Sequence, residues 1–90
     1  AAEAKNLGLV NYVTTPETLL EKTKELLNSI NKKSPVAISK VIAAVNAFYT
    51  HDVDGFSEEI KLFGEVFASE DKKEGTTAFV EKRKAIFKGI

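Results

Sequence analysis

With 90 residues, the chain forms one domain at most. Basic and acidic side chains stand at 13 each, so the overall charge argues against a general polyanion binder; the absence of cysteine excludes a disulfide framework and thiol chemistry, and a single histidine excludes the usual zinc-finger spacings. No apolar run is long enough to cross a bilayer and no cationic start leads into an apolar block, so a chain with no membrane span and no signal peptide, compatible with a reducing, cytoplasmic setting, is expected.

Residues 1 to 6 have helix-forming composition and stop at Leu7-Gly8, where a glycine just past the last turn is a common helix terminator. Leu9 to Val13 is short, β-branched or aromatic, and runs into Thr14-Thr15-Pro16, which predicts a brief extended segment. A lone strand would be an unpaired edge, which implies structure upstream. Thr15-Pro16 then places a capping residue before proline at the first helical position, where the missing N–H leaves nothing unsatisfied. Leu19, Thr23, Leu26 and Ile30 recur at helical spacing with Leu20 and Leu27 beside them, and Glu21, Lys22, Lys24 and Glu25 take the other side, so an amphipathic helix to about residue 31 is expected.

Ser34-Pro35 repeats the capping device and starts a helix through about Phe48 or Tyr49. Its apolar positions 36, 37, 38, 41, 42, 44, 45 and 48 cover too much of the circumference for a helix shielded on one side, so burial on two faces is expected. His51 to Gly55 is a polar turn in which Asp52 or Asp54 can cap the next helix. That helix carries an aromatic stripe of Phe56, Ile60, Phe63 and Phe67. Ser69 caps a last helix, with Glu70 and Asp71 where the helix dipole favours negative charge and Lys82, Arg83, Lys84 and Lys88 expected in its closing turns. Residues 72 to 90 hold six basic and two acidic side chains, a cationic patch on a mildly acidic body. That is more cation than helix stability needs, which suggests a partner. The fold class expected from these elements is all-α, a small bundle of about four helices preceded by a helix end and one short extended segment.

The closing stretch, with its acidic helix start, Glu74-Gly75, then Ala78-Phe79-Val80-Glu81-Lys82-Arg83 and finally Phe87-Lys88-Gly89, closely resembles the C-terminal tail of the enoyl-CoA hydratase (crotonase) family. Glu3 to Val13 looks like the family's segment just after its catalytic core, and Ser34-Pro35-Val36-Ala37 like its usual start to the next helix. The resemblance covers essentially the whole chain but only the last third of such an enzyme. Together with the absence of methionine, it implies a piece of a longer protein. On this reading residues 1–14 are a remnant joining the missing catalytic core, and residues 15–90 are a C-terminal helical region for oligomerisation and contact with CoA.

No catalytic residue is assigned. The carboxylates fall on solvated helix faces or caps, Glu58-Glu59 reads as a first helical turn, and His51 sits in a turn; one histidine supports no Ser/His/Asp arrangement and no Gly-rich phosphate loop is present. The resemblance implies that the two backbone N–H groups holding the enolate oxygen, and the two glutamates managing water and proton, lie upstream of this segment. It also implies roles for two residues here. Phe63 matches an aromatic near the adenine of CoA, and Lys82 matches a lysine near its phosphates. A flat apolar wall suits adenine and a cation suits phosphate. An aromatic on a helical stripe is ordinarily core and a lysine ordinarily solvated, so both plainer readings stand beside these. No metal and no cofactor are expected, the CoA thioester being the substrate of the parent enzyme.

The resemblance further implies self-association, as a trimer or dimer of trimers, with acyl-CoA as ligand and neither nucleic acid nor membrane as partner. The parent would be a lyase that hydrates 2-enoyl-CoA thioesters in fatty-acid or butyrate metabolism. The apolar helix at 35 to 48 and the stripe at 56 to 67 suit an assembly surface, unless the four helices close over them. A free-standing helical interaction module is the alternative. Nucleic-acid binding through the basic tail ranks below both, since no recognition motif accompanies the few basic residues.

Overall fold

The punctuation seen in the sequence sets the element boundaries of the computed structural model, which describes all residues from 1 to 90. Five helices follow one another: α1 Ala2–Asn6, α2 Pro16–Asn31, α3 Pro35–Phe48, α4 Gly55–Ala68 and α5 Glu70–Val80; there is no strand. The all-α class is therefore as expected. The chain divides into two units, Ala1–Ile30 and Asn31–Ile90.

In the first unit, α1 ends in a paired-bond cap. Gly8 takes the left-handed conformation at φ 73, its N–H donates to the Lys5 carbonyl at 3.1 Å, and the Leu9 N–H donates to the Ala4 carbonyl at 2.9 Å. Glycine reaches that φ without a Cβ clash. Leu9 to Thr15 forms neither helix nor paired strand, because the chain holds no second strand to complete a ladder. At the start of α2 the Thr15 and Thr18 hydroxyls lie 3.2 Å apart, and the Thr18 N–H donates to the Thr15 carbonyl at 3.2 Å. The polar side of α2 carries a Lys22–Glu25 ion pair at 2.9 Å, and Lys22 Nζ stands 5.5 Å from the centre of the Tyr12 ring. Leu19, Leu20 and Leu27 on α2 are each more than half exposed.

The second unit is built from α3, α4 and α5. Ser34 caps α3 by accepting from the Ala37 N–H at 3.2 Å, with Pro35 in the first turn. Asp54, and not Asp52, caps α4: its Oδ1 accepts from Phe56 N–H at 3.2 Å while the Ser57 hydroxyl donates to its Oδ2 at 2.6 Å. Helices α3 and α4 pack on each other and are bridged by a Lys40–Glu65 ion pair; α4 also meets α5. The expected burial of α3 on two faces does not occur within this chain. Only Ala47 of α3 is buried; Val41 and Val45 stay exposed because they border a groove that the packing of α3 on α4 leaves open, and Ile42 is exposed as well.

Ser69 starts α5 as expected, accepting from Lys72 N–H at 3.1 Å. The helix then stops earlier than the sequence suggests. Glu81 ends it, and Lys82 adopts the left-handed conformation at φ 53, with the Lys82 N–H bonded to the Phe79 carbonyl at 3.3 Å and the Arg83 N–H to the Ala78 carbonyl at 3.0 Å. This is the cap that glycine makes at α1, here with lysine at the position glycine favours. Lys82, Arg83, Lys84 and Lys88 therefore lie beyond α5 and not in its last turns. No helix is long and apolar enough to cross a membrane.

Candidate functional site

Two features of the second unit hold the residues singled out above. The first is an open groove of about 570 Å³ between α3 and α4, lined mainly by apolar side chains that include Val41, Val45, Ile60 and Phe63. Lys40 and Glu59 are the charged groups on its lining. Phe63 is 67% exposed, and its ring centre lies 6.0 Å from that of Phe67. The stripe of Phe56, Ile60, Phe63 and Phe67 is thus not the core of this chain. Leu62, 6% exposed, is the position α4 buries, while the stripe presents its faces outward. Lys72 Nζ sits 3.8 Å from the centre of the Phe67 ring and ties the first turn of α5 to the end of the stripe.

The second feature is the return of the tail along α5. Residues 71, 74, 75 and 78 lie on one face of that helix by the spacing of three and four. Ala78 is buried on that face, and the tail runs over the rest of it. Asp71, 2% exposed, accepts from the Ser34 hydroxyl at 2.7 Å and from the Lys88 and Gly89 N–H groups at 2.7 and 3.1 Å. The Asp71 N–H in turn donates to the Ile90 carbonyl at 3.0 Å. Burial pushes the Asp71 carboxyl up, but the donations from Ser34, Lys88 and Gly89 outweigh it and leave its pKa lowered.

Glu74, one turn on, takes a two-pronged contact from Arg83, whose guanidinium nitrogens reach its two oxygens at 2.6 and 2.9 Å, and accepts from the Ile86 N–H at 2.8 Å. The Arg83 contact, followed by the Ile86 donation, brings the Glu74 carboxyl down to about 2, and Arg83 is raised by Glu74 first and Glu81 second. Gly75 completes the surface: a Cβ there would stand 3.3 Å from Cε1 of Phe87, so the absent side chain makes room for the ring.

Arg83 is therefore spent inside the chain and is not available to a partner through its Glu74-facing nitrogens. Lys82, by contrast, is exposed and makes no ion pair; the turn between α5 and the tail carries it. No hydrogen bond, ion pair or cation–π contact joins Lys82 to Phe63. What the sequence did not reveal is the set of groups that hold this turn, namely Ser34, Asp71, Glu74 and the Gly75–Phe87 contact. In the sequence Asp71 reads as a helix-dipole charge and Glu74 as a solvated one; the signal that could have joined them is their spacing of three and four with Gly75 and Ala78.

The same residues, Glu74-Gly75 and then Arg83, Phe87 and Gly89, are the ones on which the resemblance rests, and they fold together as one unit. A sequence profile of the enoyl-CoA hydratase/isomerase family matches residues 1–90. The chain belongs to this family. It is similar to the crotonyl-CoA hydratase of Syntrophomonas wolfei, 46% identical over 88 residues that make up 97% of this chain and 34% of the relative. It is also similar to the short-chain-enoyl-CoA hydratase of Clostridium acetobutylicum, 42% identical over 85 residues, 93% of this chain and 33% of that one. The crystal structure of enoyl-CoA hydratase from Bacillus anthracis superposes with a TM-score of 0.92 at 33% identity, over 100% of this chain and 35% of that one. This member of the enoyl-CoA hydratase/isomerase family thus spans about a third of the length of the relatives it matches.

Proposed function

We propose that this chain is the C-terminal helical part of an enoyl-CoA hydratase-like enzyme, acting in subunit assembly and in part of the CoA pocket of a parent that adds water to 2-enoyl-CoA thioesters in the cytoplasm. The observation that carries the reading is the unpartnered apolar surface of α3 and α4 in a chain that matches the family from end to end. Val41, Ile42, Val45, Ile60 and Phe63 are all more than half exposed, more apolar surface than a small independent domain leaves bare. Assembly into a trimer or a dimer of trimers would cover it. Phe63 on this surface offers a flat wall for adenine, and Lys82 offers an unpaired cation for phosphate. The catalytic groups of the parent belong to the rest of that protein, and this chain supplies none.

The test is the solution mass of the chain by light scattering over a range of concentrations. A trimer or larger assembly supports the reading. A monomer that melts cooperatively at every concentration overturns the assembly role and favours a free-standing interaction module, for which the open groove between α3 and α4 would be the docking surface.

A further inference from the structure

Among the exposed features of the second unit, the turn at Lys82 is flanked by several independent contacts. A lysine at φ 53 occupies a region that L side chains enter only when surrounding contacts fix it. The two cap bonds to Phe79 and Ala78 fix the turn from within. From outside, the next residue, Arg83, is clamped by its fork to Glu74, and the tail beyond is held by Ile86 N–H on Glu74 and by Lys88 and Gly89 N–H on Asp71. A helix that merely needed to end could have done so with glycine at this position. Here a long cation is placed there, left without an ion pair, and anchored on both sides.

We infer that Glu74 and Arg83 are positioning residues that hold Lys82 as a preset cation for the phosphates of a CoA nucleotide. The inference rests on the reading of Lys82 given above and deepens it. Arg83 does not touch the ligand in this account. Its fork to Glu74 fixes the chain one residue beyond Lys82, so the lysine loses less freedom on meeting a phosphate. Lysine could not replace Arg83 in this task, because its single ammonium cannot bridge both oxygens of Glu74.

The experiment is a titration of the full 90-residue chain, labelled for NMR, with CoA and separately with pantetheine, which lacks the nucleotide. Four variants are compared with the parent sequence: Lys82→Ala, Arg83→Lys, Glu74→Gln, and Lys82→Ala combined with Arg83→Lys. The expected result is that Lys82→Ala weakens CoA binding by roughly 3- to 10-fold, as loss of one charged contact at a partly solvated site does. Arg83→Lys and Glu74→Gln should each weaken it by a similar factor, and Arg83→Lys should add nothing once Lys82 is gone. Pantetheine shifts should stay the same throughout. In Arg83→Lys the Lys82 amide should also lose order while the amides of α3 and α4 keep their shifts, a change that a purely structural role for Arg83 would not confine to this turn. If Lys82→Ala leaves CoA affinity unchanged, the role of Lys82 is wrong and the inference falls with it. If Lys82→Ala weakens CoA while Arg83→Lys and Glu74→Gln do not, Lys82 keeps its role and the positioning claim alone is overturned. Arg83→Lys keeps the charge, so the comparison survives even if Glu74→Gln releases the whole tail.

Discussion

The Ser34 hydroxyl, which caps α3, donates to Oδ2 of Asp71 in the first turn of α5 at 2.7 Å, and both residues are buried. One oxygen of Ser34 thus serves two helices, accepting from Ala37 N–H while donating to the carboxylate. Ser34→Ala should lower stability by about 1 kcal/mol through the lost cap alone. Asp71→Asn should do more damage, because an amide N–H₂ would face one of the donors that now meet a carboxylate oxygen. We expect its melting temperature to fall by more than that of Ser34→Ala. Since the two share one hydrogen bond, the double variant should lose less than the sum of the singles. Thermal melts of the three variants check this; additive losses would mean the Ser34–Asp71 bond contributes nothing.

Acid should loosen the tail before it unfolds the helices. The carboxyl of Glu74 is lowered from its ordinary 4.5 to about 2 by Arg83 and then by Ile86 N–H, and Asp71 is lowered as well. A depressed carboxyl adds stability that is complete above its unfolded pKa and disappears as pH falls through the folded one. Stability from Glu74 should therefore be constant above about pH 5 and decline between about 4.5 and about 2. Melting temperature followed against pH should show that decline, and Glu74→Gln should flatten its upper part. A variant that melts with an unchanged acid slope would remove the Arg83–Glu74 contact as the cause.

Gly75 weakens α5 by its own propensity, about 0.5–1 kcal/mol relative to alanine in a helix interior. The Phe87 ring, 3.3 Å from where a Cβ would stand, is the counterweight. Gly75→Ala should consequently stabilise the chain by about that amount in a Phe87→Ala background, and by clearly less when the ring is present. Denaturant unfolding of the four members of the cycle measures the difference. Equal gains in both backgrounds would show that the ring does not need the glycine.

The helix starts were legible because their causes are local. Ser34-Pro35, Asp54 and Ser69 each satisfy first-turn N–H groups with a short side chain, and each stands where the sequence placed a start. The end of α5 was not legible, because Lys82 carries no mark of a left-handed residue and the contacts that hold it come from residues up to eleven positions back. The aromatic stripe of α4 was visible as a pattern, but periodicity reports that a face is apolar and not what covers it. Leu62 is buried within the chain and Phe63, its neighbour, is not. As for the site, Phe63 and Lys82 are proposed from the resemblance in sequence alone, whereas the groups holding the Lys82 turn are apparent only from the folded tail.

Charge placed on the groove should separate association from folding. Ile60 is 73% exposed and Val41 60%, so a glutamate at either position buries little and should leave the monomer's stability nearly unchanged. On an assembly surface the same charge is costly, because it must be desolvated without a partner. Ile60→Glu and Val41→Glu should therefore shift the chain toward monomer by light scattering with little change in melting temperature at low concentration. Unaltered mass would count against the proposed assembly role of α3 and α4.

Replacing Lys82 by glycine should strengthen the fold while weakening the proposed CoA contact. The left-handed conformation disfavours an L side chain by roughly 1–2 kcal/mol, and glycine avoids that penalty. Glycine also gains freedom in the unfolded chain, which takes back about 0.4–1 kcal/mol. The balance favours Lys82→Gly by roughly 0.5 kcal/mol, a rise of a few degrees in melting temperature for a chain of this size. CoA affinity should fall as in Lys82→Ala, since both remove the ammonium. Melts and CoA titrations on the same sample decide the matter. A lower melting temperature would show that the lysine stem stabilises the turn by more than its strained backbone opposes it. A higher one with unchanged CoA affinity would leave the left-handed lysine without a ligand to account for it.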